Sequence, residues 1–261
     1  MNGTMLNSPV DHFLLKNRRV LVTGASSGIG SGIAILLSHL RANVICCGRD
    51  EARLQKTFDC LEGSGHAISS FDLMNVEKIH PWVVALSKQQ GKIWGIVHAA
   101  GIQHTLPASM ITPEKFEQVI KLNSEAAFFL AKTMLSSSVR DEIGGSIVFI
   151  SSIMSIVSQA AISSYSFSKA ALSGLARSLA IEFAPKKIRV NCISPAFVKT
   201  PLLDDMTKKW NKDQIDELIN RHPLGIGDIQ DVAYSTAFLL SEAARWITGS
   251  NLIVDGGYTA L

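Results

Sequence analysis

The sequence predicts an α/β fold, a single domain built on one doubly wound parallel sheet of about seven strands with helices on both faces. Three observations carry this. Short β-branched runs alternate with longer helical patterns almost from end to end. Several of the short runs are apolar on successive residues, as strands covered on both faces must be. No linker, low-complexity segment or internal repeat divides the 261 residues.

In chain order, the strands are expected at 19–23, 43–47, 67–71, 95–99, 146–150, 189–194 and 252–254. Helical patterns fill 30–40, 51–62, 76–90 and 164–183 between them. A long helix opens at Thr112-Pro113-Glu114, where Thr can cap, Pro suits the first turn and Glu faces the positive end of the dipole. It is expected to run to about residue 136. The stretch 196–227 breaks the rhythm and holds one expected helix, at 214–221. Insertions of this kind commonly carry substrate contacts, so 196–227 is read as a substrate lid.

Composition narrows the partners. The 25 basic residues are scattered among 22 acidic ones, and the net charge of +3 gives nucleic-acid binding no support. With 47% hydrophobic and 18% charged residues, the chain has apolar surface to spare for burial between subunits. Cys46, Cys47, Cys60 and Cys192 lack C-x-x-C spacing and are expected to be reduced and buried, as in a cytoplasmic protein. Residues 1–16 offer only Phe13-Leu14-Leu15, too short for the core of a secretion signal. No run reaches the roughly 18 apolar residues of a membrane span, so no membrane partner is expected.

The first strand runs into Thr23-Gly24-Ala25-Ser26-Ser27-Gly28-Ile29-Gly30 and then a helix. Glycines there allow a tight turn, close approach of a pyrophosphate and close helix–sheet packing, while the helix N-terminus offers N–H donors, as in a Rossmann-type dinucleotide loop. A tight turn also uses glycine for steric reasons alone. Gly24-Ala25-Ser26-Ser27-Gly28 satisfies the G-x-S-x-G hydrolase elbow as well, but an elbow needs several strands before it and only one precedes. No Gly-Lys-Ser/Thr follows, which excludes a P-loop. About 20 residues past the loop, where an acid often binds the adenosine ribose, stand Gly48 and Arg49. Arg49 can receive a 2′-phosphate, or it is a solvated surface residue. Asp72 ends the third strand and either meets the adenine or caps a turn.

Tyr165 and Lys169 lie four residues apart, on one face of a helix. Ser152 stands just past the fifth strand, where a doubly wound sheet opens its crevice. Asn123 falls in the middle of the long helix, a poor place for Asn unless it has a partner. His98 is either a packed strand residue or a group that alters the polarity of the site. The histidines show no metal-ligand spacing such as H-E-x-x-H, so no metal is expected.

Together these residues resemble the short-chain dehydrogenase/reductase family in its common form. The resemblance runs from Phe13 to Tyr258 through Thr23-Gly24-x-x-x-Gly28-x-Gly30, Asp72, Ala99-Ala100-Gly101, Asn123, Ser152, Tyr165-x-x-x-Lys169, Asn191-x-x-x-Pro195, Thr200 and Asp255-Gly256-Gly257. Two departures stand out: the usual Asn-Asn-Ala-Gly is His98-Ala99-Ala100-Gly101, and the usual Pro-Gly is Pro195-Ala196. The resemblance implies hydride transfer between a nicotinamide cofactor and a ketone or secondary alcohol. It makes Tyr165 the acid/base, its pKa lowered by Lys169 and the nicotinamide; Ser152 bonds the reacting oxygen, Lys169 also holds the nicotinamide ribose, and Asn123 holds a water. It brings the cofactor against Gly24, Ser26, Ser27, Gly28, Ile29, Gly30, Arg49, Asp72, Leu73, Ala99, Ala100, Gly101, Pro195, Val198 and Thr200. The resemblance is closest to 3-oxoacyl-carrier-protein reductases and to sugar or polyol dehydrogenases.

Gly48 and Arg49 point to NADP(H) over NAD(H). The expected partners are a small carbonyl or alcohol substrate and further copies of the chain, in a tetramer or dimer. The alternatives are a silent NADP(H)-binding redox-sensing regulator, disfavoured by an intact tetrad, and a serine hydrolase acting through Ser26.

Overall fold

The computed structural model describes residues 9–208 and 210–261. The reading of 1–16 rests partly on residues 1–8, which lie outside the described residues, as does Lys209 in the insertion. The strands are β1 (Arg19–Thr23), β2 (Asn43–Gly48), β3 (Ala67–Ser70), β4 (Gly95–His98), β5 (Gly145–Ile150), β6 (Ile188–Pro195) and β7 (Asn251–Val254). They form one parallel sheet in the order β3-β2-β1-β4-β5-β6-β7. Each lies within one residue of its expected bounds.

The helices are α1 (Gly28–His39), α2 (Glu51–Phe58), α3 (Ile79–Gln90), α4 (Pro113–Ile120), α5 (Ala126–Thr133), α6 (Ser163–Phe183), α7 (Pro201–Thr207), α8 (Lys212–Asn220) and α9 (Ile229–Leu240). Successive strand residues point to opposite faces. Val20, Val22, Val44, Val97 and Val148 pack toward α1 and α9. Leu21, Ile45, Ile96, Ile147 and Phe149 pack toward α3, α5 and α6. All ten are fully buried, which is why these strands read as unbroken apolar runs. Full burial of each such side chain is favourable by about 1.5–3 kcal/mol before the entropy of ordering it is counted.

Four expectations need correction. The long helix from Pro113 breaks at Lys121–Glu125 into a π turn, where the Ala126 amide bonds Lys121 O, five residues back. The helix from Glu51 stops at Phe58. The insertion holds two helices, α7 and α8, its roots tied by Lys199 N to Gly227 O (2.9 Å) and Gly227 N to Phe197 O (3.1 Å). Cys60 is exposed on the turn after α2, whereas Cys46, Cys47 and Cys192 are buried in strands, all four as free thiols. Burial pushes the Cys46 and Cys192 thiols up to about 12, so neither is a thiolate at neutral pH.

The strand order reverses between β1 and β4, and a crevice opens past their C-terminal ends. No helix among the described residues is long and apolar enough to cross a membrane.

Candidate active site

The glycine loop forms the floor of that crevice. Gly24 has φ +69°, and a Cβ on it would lie 2.7 Å from Ala100 N. A Cβ on Gly30 would lie 2.3 Å from Gly24 O, inside the turn itself. Both positions therefore exclude any other residue. Ser27 caps α1 with extended backbone and no side-chain bond to the helix, which leaves the amides of the first turn directed at the crevice. A cavity of about 1250 Å³ lies over this floor.

The cavity is lined by Gly24, Ser26, Ser27, Gly28, Ile29, Gly30, Asp72, Leu73, Ala99, Ala100 and Gly101, and at its far end by Arg49. Arg53, which the sequence reading missed, lines that end too. It lies one helical turn beyond Arg49, 3.5 Å from Asp50 Oδ2 through Nε, and is well exposed. A Cβ on Gly48 would meet Leu54 Cδ2 at 3.3 Å and Ser26 Oγ at 3.5 Å, so an acidic side chain there would be crowded. Asp72 serves its turn, with Oδ1 accepting from Met74 N at 3.0 Å, and still faces the cavity. The extended floor and the free helix amides fit a dinucleotide.

An adjoining cleft of about 870 Å³ contains Ser152, Tyr165 and Lys169. Ser152 caps a short 3₁₀ turn after β5, its Oγ accepting from Met154 N at 3.2 Å. Tyr165 and Lys169 project from α6, with Lys169 Nζ 5.6 Å from the Tyr165 ring centre. Lys169 donates to Ile150 O at 2.7 Å, and burial pulls its pKa down to about 8. The lowering expected of Tyr165 counts on the nicotinamide as well as Lys169, and the protein's own groups do not by themselves produce it. Burial holds the phenol above its ordinary value, and the Ser152 hydroxyl pulls it back only in part.

Asn123 lies behind the cleft, fully buried, and does not line it. Its Oδ1 accepts from Ile102 N (2.9 Å), while Nδ2 donates to Ile102 O (3.0 Å) and Ser168 Oγ (2.9 Å). Both amide hydrogens are thus committed to protein, so a water could meet this side chain only by donating to Oδ1, which keeps a second lone pair. The amide acts as a clamp. Ser168, also missed from the sequence, completes it by donating to Tyr165 O at 2.7 Å.

Ile29, Pro195, Val198 and Thr200 line the same cleft. The Thr200 hydroxyl also accepts from Leu203 N at 3.3 Å and so caps α7. The remaining wall is apolar, with Ile153, Met154, Phe197, Leu203 and Met206. Its polar exceptions include Gln103 and Gln159, and Lys169 is its one charged residue among those described. Ser26 bonds no histidine among the described residues, as a hydrolase nucleophile would need to.

The chain matches the family model described as enoyl-(acyl carrier protein) reductase over residues 24–259. It is 36% identical over 244 residues to the 3-oxoacyl-(acyl-carrier-protein) reductase of Rickettsia prowazekii (strain Madrid E), covering 93% of this chain and 97% of that one. It is 33% identical over 243 residues to a tropinone reductase homolog of Arabidopsis thaliana, covering 92% and 89%. The crystal structure of a short-chain type dehydrogenase/reductase from Mycobacterium marinum superposes with a TM-score of 0.88 at 28% identity, covering 97% of this chain and 100% of that one.

Proposed function

Because the chain belongs to the short-chain dehydrogenase/reductase family, and is thereby an oxidoreductase acting on CH–OH or C=O groups, we propose that it interconverts a neutral, largely apolar ketone and its alcohol with NADP(H). One observation carries the reading: Ser152, Tyr165 and Lys169 meet in a single cleft beside the glycine-loop cavity.

A nicotinamide cofactor, when bound, supplies or accepts the hydride. The chain's own groups manage everything else. Tyr165 gives a proton to the carbonyl oxygen during reduction and takes it back during oxidation. Ser152 donates to that same oxygen as negative charge develops on it. Lys169, cationic below about pH 8, favours the tyrosinate and offers its hydrogens to the ribose hydroxyls. Asn123 and Ser168 hold the helix turns that aim these groups. Arg49, supported by Arg53, would hold the 2′-phosphate of that cofactor, with α7 and α8 as the lid.

The substrate class follows from the wall of the cleft. A keto-sugar needs hydrogen bonds for most of its hydroxyls, and a charged keto acid needs a counter-ion other than Lys169. Two glutamines on an apolar wall suit instead a substrate with one or two polar groups, such as a β-ketoacyl thioester or a cyclic ketone. Nothing in the site favours a regulator without turnover.

The test is NADPH oxidation by the purified protein over neutral ketones, keto-sugars and keto acids matched in size, with Tyr165→Phe as control. Neutral apolar ketones should give the highest kcat/KM, by about tenfold or more, since each buried unpaired polar group costs about 1–3 kcal/mol. Equal rates with the keto acids would refute the substrate class. No turnover of any ketone would refute the activity.

A further inference from the structure

His98 stands where the family usually has Asn, at the end of β4, and the chemistry described so far leaves it unused. Its ring is fully buried and has a partner on each nitrogen. Nδ1 lies 3.0 Å from Thr23 Oγ1, and Nε2 lies 3.2 Å from Leu122 O. A carbonyl can only accept, so Nε2 carries the hydrogen; Nδ1 is then bare and accepts from the Thr23 hydroxyl. Thr23 Oγ1 in turn accepts from Ala100 N at 3.4 Å, and its one hydrogen goes to Nδ1 at 3.0 Å in preference to Val97 O at 3.5 Å.

Leu122 belongs to the π turn. In an α-helix its carbonyl would take the Ala126 amide, four residues on. Here that amide goes to Lys121 O instead. The His98 Nε2–H supplies Leu122 O with a donor at the point where the helix withdraws one. The next residue is Asn123, whose amide clamps Ile102 and Ser168. The Cβ that Gly101 lacks would lie 3.2 Å from Asn123 Oδ1 and 3.4 Å from Lys169 Nζ, so the two side chains border one small space.

We propose that His98 is a positioning residue for the reaction, its Nε2–H fixing the π turn at Leu122 and thereby the placement of Asn123 beside Lys169. This rests on the ketoreductase reading for the reaction it serves, but not for the bonds themselves. The ring is suited to a fixed role. Burial, with the charge of Lys169 nearby, drives its pKa down to about 3, so it stays neutral and keeps one donor and one acceptor.

Two measurements test it. In uniformly ¹⁵N-labelled wild type, the imidazole nitrogen–proton correlation of His98, identified by its loss in His98→Gln, should show the neutral Nε2–H tautomer. A Nδ1–H tautomer or a charged ring overturns the proposal. The second is steady-state kinetics at saturating NADPH. His98→Phe keeps the ring and loses the donor; His98→Gln restores a donor at about the reach of Nε2. We expect kcat to fall at least tenfold in His98→Phe, with the NADPH dissociation constant within threefold of wild type. His98→Gln should recover a third or more of kcat. A purely structural role would lower the melting temperature of His98→Phe yet leave kcat of the folded protein unchanged, and that result overturns the proposal, as does an equal loss in both variants. If His98→Phe does not fold, His98→Gln decides alone, and less than a third of wild-type kcat overturns it. Absence of ketone reduction by wild type would count against the proposed activity instead, and the tautomer is read independently of it.

Discussion

At Tyr165 two opposing effects meet, since burial holds the phenol protonated while oxidation needs it deprotonated. Reduction uses the protonated form, which a raised pKa keeps fully populated at neutral pH. With saturating oxidised cofactor, kcat/KM for an alcohol should therefore rise about tenfold per pH unit on its acidic limb, while kcat/KM for the ketone stays flat over the same range. A flat oxidation profile between pH 6 and 9 would remove Tyr165 as the base. Tyr165→Phe should lower turnover by about 10²–10⁴ and leave cofactor affinity within a few-fold, as calorimetry can check. We expect Arg49 to decide cofactor choice. Hydrogen bonds to charged groups contribute about 1.5–3 kcal/mol, or roughly 10- to 150-fold in affinity. NADPH should bind at least about tenfold more tightly than NADH at moderate salt, less so as salt rises. Exposed Arg53 adds a weaker share because Asp50 competes for it, so Arg49→Ala should remove most of the preference and Arg49→Ala with Arg53→Ala the rest. Equal wild-type affinities would show that neither arginine meets the phosphate. Arg49 was legible because it follows a strand end; Arg53 was not, because only the winding of α2 carries it to the same cavity.

Among the elements, the break between α4 and α5 matters most to the site. Thr112, Pro113 and Glu114 marked its start correctly, with Thr112 Oγ1 accepting from Lys115 N. The π turn left no mark, because Val119, Leu122, Ala126 and Leu130 keep an apolar spacing that an unbroken helix would also satisfy. Asn123 was the one hint, and its partners, Ile102 and Ser168, come from two other segments. Ser168→Ala would leave a buried amide hydrogen of Asn123 unpaired, so urea unfolding should show a loss of about 1–3 kcal/mol. The exposed Ser163→Ala should change stability by less than about 0.5 kcal/mol. Equal effects would mean that Ser168 is not part of a clamp. In the insertion, Thr200-Pro201 and Asp204 carry the same start signal as Thr112-Pro113-Glu114, yet the expected helix was placed only at 214–221 and α7 was missed. Its place over the cleft was not readable, since that depends on the pairing of Val198 with Gly227.

For the whole molecule, the apolar surplus in the composition reappears as exposed side chains on α4, α5 and α6. Phe116, Phe128, Phe167 and Ile181 are 37%, 40%, 57% and 78% exposed, with the Phe116 and Phe167 rings 5.4 Å apart, and apolar side chains left in water on neighbouring helices suit an interface. We expect a homo-oligomer with these helices at its interface. Light scattering after gel filtration should give a multiple of 28.2 kDa, and Phe167→Glu with Ile181→Glu should reduce it. A wild-type monomer would refute this. The sequence by itself determined the α/β class, every strand and the glycine loop, because local periodicity and turn chemistry are short-range properties written in neighbouring residues; Tyr165, Lys169 and Ser152 were singled out by the family resemblance their motifs carry. Only the tertiary structure decided that Asn123 clamps Ile102 to Ser168, that Arg53 lines the same cavity as Arg49, and that His98 spans from Thr23 to Leu122. Each of those depends on groups brought together from distant parts of the chain, where the choice of partner is made by packing and by the need to satisfy buried polar atoms.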